Sequence, residues 1–263
     1  MKKTLAILNA MSVVLVIAVN YLSQALRLND TTIGERSQAY ENLFTPAGYA
    51  FAIWGLIFLS LLGYAAFQLW RVFGSEEESP FVEQTGYWFL CANVLNSAWI
   101  FAFVYDCTGL SVLIMLGILL SLCMIIVNTN MERWDAPLAV IAFVWWPISL
   151  YSGWIAVATI ANIAAYLTKL GWDGFGIGDV EWTIAMILAA TALNLIMVWT
   201  RNMREFALVG IWALVAIFVR HRNAIDSVAF TAVICSAVLV VAIVVHGYKN
   251  RATNPVSKAL DGT

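Results

Sequence analysis

The sequence predicts an all-α fold, a polytopic transmembrane helix bundle of about eight spans. Three observations predict it. Hydrophobic residues make up 62% of the 263 residues and charged residues 11%, less than half the ~25% charge of an ordinary soluble domain. The apolar residues gather in runs near the ~20 that a helix needs to cross a bilayer core. Charged side chains collect between the runs, as at Arg71 with Glu76-Glu77-Glu78, Glu132-Arg133, and Arg201 with Arg204-Glu205. A net charge of −2 gives no basis for a nucleic-acid partner.

The first run covers about 4–22. Lys2-Lys3 ahead of it and Ser23-Gln24-Ala25 after it resemble a signal peptide with a small-x-small cleavage site. The apolar stretch is longer than a usual signal core, so a retained helix is expected and a cleaved signal is the alternative. A long polar connection, about 23–45, follows and carries Arg27, Asp30, Glu35, Arg36 and Glu41.

The second run, about 46–70, opens Thr45-Pro46-Ala47-Gly48-Tyr49-Ala50-Phe51-Ala52-Ile53-Trp54. Proline is favourable in a first helical turn, and Thr45 before it is the expected N-cap. Tyr49, Phe51 and Trp54 then lie within two turns of the membrane surface. The third run, about 84–105, carries Asn93, Asn96 and Trp99 at steps of three. Each step turns the side chain by about 60°, so the two amides are expected on one face. They either hydrogen-bond neighbouring helices or line a pocket. The fourth run is about 109–128.

The fifth, about 138–168, is long and holds Pro147, which predicts a kink or tilt. Pro147, Tyr151, Trp154, Ala158 and Asn162 fall within about 80° of one another on a helical wheel. That stripe of aromatic, small and amide residues is either a packing face or an aromatic-lined ligand groove. The connection 169–180 holds Gly171, Gly174, Gly176 and Gly178 without dinucleotide spacing, and reads as a flexible link. Runs of about 181–200, 206–220 and 226–247 complete the eight, the seventh being short. A polar tail with Pro255 ends the chain.

Lys and Arg set the orientation. Nine of the fourteen lie on the side of the two termini, which predicts both termini in the cytoplasm, with the bacterial cytoplasmic membrane as the expected location. Several of the twelve Trp, including Trp70, Trp134, Trp172, Trp182 and Trp199, fall near predicted helix ends, where an aromatic belt accounts for them. Cys91, Cys107, Cys123 and Cys235 are scattered without metal-ligand spacing. His221 and His246 lie at helix ends, so neither a metal site nor a His-based triad is expected.

Three segments together resemble the TspO / translocator-protein family, the tryptophan-rich sensory proteins. Pro46 to Trp54 is similar to the family's opening of the second helix. Asn93-Val94-Leu95-Asn96-Ser97-Ala98-Trp99 is similar to its third-helix segment, and Leu150-Tyr151-Ser152-Gly153-Trp154 with Ala158 and Asn162 to its fifth. Tyr49 stands where the family usually has Trp, Asn93 where it has Gln, and Leu150 where it has Pro. The resemblance covers about residues 4–168. It implies a five-helix unit, 1–170, followed by a three-helix extension, 171–248, and the tail, 249–263.

The resemblance also implies binding of a hydrophobic ligand, particularly a tetrapyrrole, among the first five helices. Tyr49, Phe51, Trp54, Trp99, Tyr151, Trp154 and Ala158 would form the walls. Asn93, Asn96 and Asn162 would offer hydrogen bonds. The loop 23–45 would be the lid, with Arg27 or Arg36 for a propionate. No cofactor is required on this reading, since the tetrapyrrole is a ligand. The expected partners are the bilayer, the hydrophobic small molecule and, as an option, a second copy in a homodimer. A receptor or sensor leads. A permease for a small amphipathic compound and an accessory subunit of a membrane assembly are the rivals. An enzyme ranks last, because no nucleophile–base pair or paired carboxylates stand out.

Overall fold

The computed structural model describes residues 1–40 and 42–250. Glu41 and most of the predicted tail lie outside the described residues. Eight long helices fall on the eight predicted runs: α1 (Lys2–Ala25), α2 (Gly48–Phe73), α3 (Trp88–Val104), α4 (Thr108–Asn128), α5 (Leu138–Lys169), α6 (Asp179–Arg201), α7 (Arg204–His221) and α8 (Asp226–Lys249). Six are long and apolar enough to cross a membrane. The other two are α3, with 17 residues, and α7, with 18 and charges at both ends. This is an all-α membrane bundle.

Local sequence explains the boundaries. In the first connection, Thr32 accepts a hydrogen bond from Glu35 N, and the Glu35 carboxylate accepts one from Thr32 N. This capping box starts a short helix, Ile33–Gln38. Thr45 is not the N-cap of α2. Its N–H and hydroxyl both donate to the side-chain Oδ1 of Asn42 at 2.9 Å, which holds a turn instead. α2 opens three residues later with a 3₁₀ segment, Gly48–Ala52. The third run begins later than its apolar residues suggest. Pro80–Thr85 forms a separate short helix, and Gly86 at φ 54° breaks the chain before α3.

Pro147 leaves its mark on α5 as a π turn, Ile141–Trp145, immediately before it. A proline ring clashes with the carbonyl four residues earlier and cannot donate to it, and a wider turn relieves both. α5 is the central helix. The apolar window of α5 is 78% buried, against 33–44% for the other five long spans. α2, α4 and α7 pack against it, α3 reaches it through Asn96 and Trp99, and α1 lies against α2 and α3. α6 and α8 flank α7.

α7 approaches α5 at Gly153, where a Cβ would come within 2.9 Å of the Phe206 carbonyl. It also grips the start of α2. Arg220 donates to Thr45 O at 2.7 Å, Trp212 to Ala50 O at 2.9 Å, and Ala47 N to Ala216 O at 3.2 Å. His221 Nε2 lies 2.8 Å from Leu43 O. The last three helices are therefore joined to the first five through both packing and backbone hydrogen bonds.

Candidate functional site

Phe51, Trp54, Trp99, Trp154, Ala158 and Asn162 come together around one inner cavity. Trp54 and Phe51 from α2 meet Trp154 edge-on, with ring centroids 6.4 and 5.9 Å away. The lid contributes Ser37 to the same cavity, and Pro46 just after it lines the cavity too. Its open volume is only about 40 Å³. That is room for a water or two, far below the roughly 300–1,000 Å³ of a small-molecule pocket.

The amide N–H groups of the site are spent on the protein itself, while the buried Oδ1 atoms of Asn93 and Asn96 have no hydrogen-bond partner among the described residues. Trp99 Nε1 donates to Asn162 Oδ1 at 2.7 Å, and Asn162 Nδ2 donates to Ser111 Oγ on α4 at 2.9 Å. Asn96 Nδ2 donates to the Tyr151 hydroxyl at 2.8 Å. Asn93 turns to another helix, donating to Ser12 Oγ on α1 at 2.9 Å. Asn93 and Asn96 are both buried, but they serve different neighbours, and with Tyr151 they sit behind the cavity rather than on it. Tyr49 is 43% exposed and packs edge-on against Trp212 of α7, away from the other site residues.

The lid arginines do not reach the cavity. Arg27 pairs with Glu35 at 3.0 Å on the surface. Arg36 donates to Val104 O at the end of α3, 3.2 Å away, beside Asn29 at 3.1 Å. The lid is latched at its far end. Tyr40 donates to the Asp106 carboxylate, which also pairs with Lys169 at 2.9 Å. Burial pushes the Asp106 carboxyl up, but the hydrogen bonds from Tyr40 and Lys169 outweigh it and hold the group below its ordinary value.

Two larger openings were not anticipated. One, about 440 Å³, lies between α1 and α2 beneath the short lid helix, and its wall includes Phe51, Trp54 and Phe58. Trp54 and Phe58 stack with centroids 5.2 Å apart. The other, about 470 Å³, lies between α5 and α6. The glycine-bearing link beside it is held in place rather than loose. Trp182 Nε1 donates to Gly174 O at 2.8 Å, and Asp173 accepts from Phe175 N at 3.0 Å.

At the opposite end of the bundle a polar cavity of about 250 Å³ is lined by Glu132, Arg204 and His246, among others. Burial, with Glu205 nearby, pushes the Glu132 carboxyl up to about 8.

Ser12 and Ser111 complete the hydrogen-bond network and were not singled out from sequence. A lone Ser in an apolar run has no signal of its own. The α5–α6 opening did have one, since Ile160, Ile163, Ala164 and Leu167 follow helical spacing.

The family described as TSPO-like protein matches the chain over residues 6–245. The matched stretch reaches into α8, past the five helices that hold the three motifs. No curated protein and no solved structure matches the chain.

Proposed function

The chain belongs to the TSPO-like family, and from that premise we propose that this integral membrane protein is a receptor or sensor for a flat hydrophobic ligand, of which a tetrapyrrole is the leading class. The observation that carries the reading is the double role of Trp54 and Phe51. They wall both the 440 Å³ opening between α1 and α2 and the 40 Å³ cavity behind it. The outer opening is of ligand size. It offers the stacked Trp54–Phe58 pair to a planar ring, and Asn20, Gln24 and Thr32 as polar groups. A shift of the Trp54 and Phe51 rings would join the two spaces. The ligand would then come from the bilayer side and lodge against Trp154.

Titration of the purified protein with protoporphyrin IX, followed by Trp fluorescence, tests this. Saturable quenching is expected, weakened about tenfold or more by Trp54→Ala, a loss of about 1.4 kcal/mol. Trp199→Ala, at the far end of α6, serves as the control and should leave the affinity unchanged. Absence of saturable quenching, or equal affinity in Trp54→Ala and Trp154→Ala, sinks the reading.

A further inference from the structure

We propose that the groove between α5 and α6 binds a single-chain amphipathic cation, with its alkyl chain between the two helices and its ammonium head at the Trp172–Trp182 end. The argument starts from two stripes. Ile160, Ile163, Ala164 and Leu167 on α5 line the groove at helical spacing, as do Asp179, Trp182, Thr183 and Met186 on α6. Stripes of this kind normally interdigitate. Here they face each other across about 470 Å³ of open space. Ala164 and Ala189, one from each helix, line it with methyl groups that take up little of the space. Small residues facing each other in a membrane usually let helices touch, so the separation of α5 from α6 marks a space shaped for an occupant. Its apolar walls suit an alkyl chain.

The chemistry of the head comes from the other end of the groove. Trp172 and Trp182 both line the groove, with ring centroids 5.2 Å apart and planes tilted by 51° rather than stacked. Asp179 lines the same space, and its carboxylate forms none of the ion pairs found among the described residues. Indole faces beside a carboxylate favour a cation and disfavour an anion. An ammonium carrying methyl groups suits the indoles best, because its charge is diffuse and weakly hydrated.

The link between α5 and α6 is built to hold this end. Gly174, at φ +66°, passes so close over Trp182 that a Cβ would come within 2.9 Å of its ring. Phe175 follows at φ 56°, a region that bulky residues seldom enter. It is 81% exposed and sets its ring edge-on to Trp172, with centroids 5.4 Å apart. Backbone held in such a conformation fits a ligand clamp.

The test uses the full chain in neutral maltoside micelles and hexadecyltrimethylammonium with a photoreactive diazirine in its chain. Labelling is expected to saturate and to map to α5 and α6. Unlabelled hexadecyltrimethylammonium should displace the label, while hexadecanol, hexadecyl sulfate and dioleoylphosphatidylcholine at equal concentration should not. Asp179→Asn, a change at an exposed position, should weaken labelling about tenfold, and Asp179→Glu should restore most of it. Ala164→Phe with Ala189→Phe should abolish labelling by filling the groove. Equal competition by the alcohol or sulfate overturns the cation preference. Equal competition by the phospholipid makes the occupant bulk lipid and overturns the proposal. So does labelling outside α5 and α6, labelling unaffected by Asp179→Asn, or cross-linking of two chains through this face in place of labelling.

Discussion

The inner aromatic cavity and the α5–α6 groove make opposite use of similar material. Both are lined by Trp, Ala and aliphatic residues on helical stripes. In the first, the stripes close on one another to about 40 Å³, and Asn162 ties three helices together through Trp99 and Ser111. In the second, the stripes stay apart and leave about 470 Å³. The difference lies in what crosses the gap. Buried amides and indoles bridge α3, α4 and α5, because an unpaired polar group in hydrocarbon is costly. The buried amide of α6, Asn194, bonds its own helix at Ala190 O. Among the described residues no side-chain hydrogen bond joins α6 to α5, and α7 packs on both helices, approaching α5 closely at Gly153.

That contrast can be broken in a graded way. The largest effect is expected from Gly153→Val, which would push α7 off α5 and loosen its grip on the lid. A loss of about 3 kcal/mol is expected, read as a lowered unfolding temperature of the purified protein in detergent. An unchanged transition would mean that α7 does not depend on this approach. Asn162→Leu comes next. It strands the Trp99 N–H in the interior and should cost about 2 kcal/mol. Adding Trp99→Phe should recover part of that loss, since two apolar partners leave nothing unpaired. If the double variant is as unstable as the sum of the two single changes, the bond is not what closes the cavity.

A matched pair then compares the two spaces directly. Ala158→Leu overfills the closed cavity and should cost about 1–2 kcal/mol. Ala189→Leu extends into the open groove and should stay within about 0.5 kcal/mol of the parent. Equal costs would erase the distinction between the regions.

The smallest effect concerns the lid latch. Because the folded structure holds the Asp106 carboxyl below its ordinary value, the latch stabilises fully above that ordinary value and is lost as pH falls through the lowered one. The pair is partly exposed, so less than about 1 kcal/mol is at stake. Proteolysis of the lid should rise modestly in Asp106→Asn at neutral pH. Unchanged cleavage would show that the Arg36 and Asn29 contacts with Val104 hold the lid alone.

Much of the fold was legible because bilayer length and apolar run length are one constraint. All eight runs became helices, and Pro147 produced a π turn within the helix predicted to be distorted. The site was legible where helical spacing alone decides it. Trp154, Ala158 and Asn162 share a face of α5, as their spacing predicts, and line one cavity with Trp54 and Trp99. It failed where a side chain had a choice of neighbour. Tyr49 went to Trp212 and Asn93 to Ser12, because α7 and α1 supplied partners that no spacing within α2 or α3 could reveal. Thr45 failed as a cap because Asn42 bonds it first.

By itself, then, the sequence determined the solvent and the class: a membrane bundle of apolar helices, charged only at their ends, with aromatic and amide stripes on α2, α3 and α5. Tertiary structure alone decided which stripes close and which remain apart. Periodicity says which residues share a face, but contact also depends on what the facing helix offers. Here Asn162 found Trp99 and Ser111 across one gap, while the facing stripes of α5 and α6 leave about 470 Å³ open across the other.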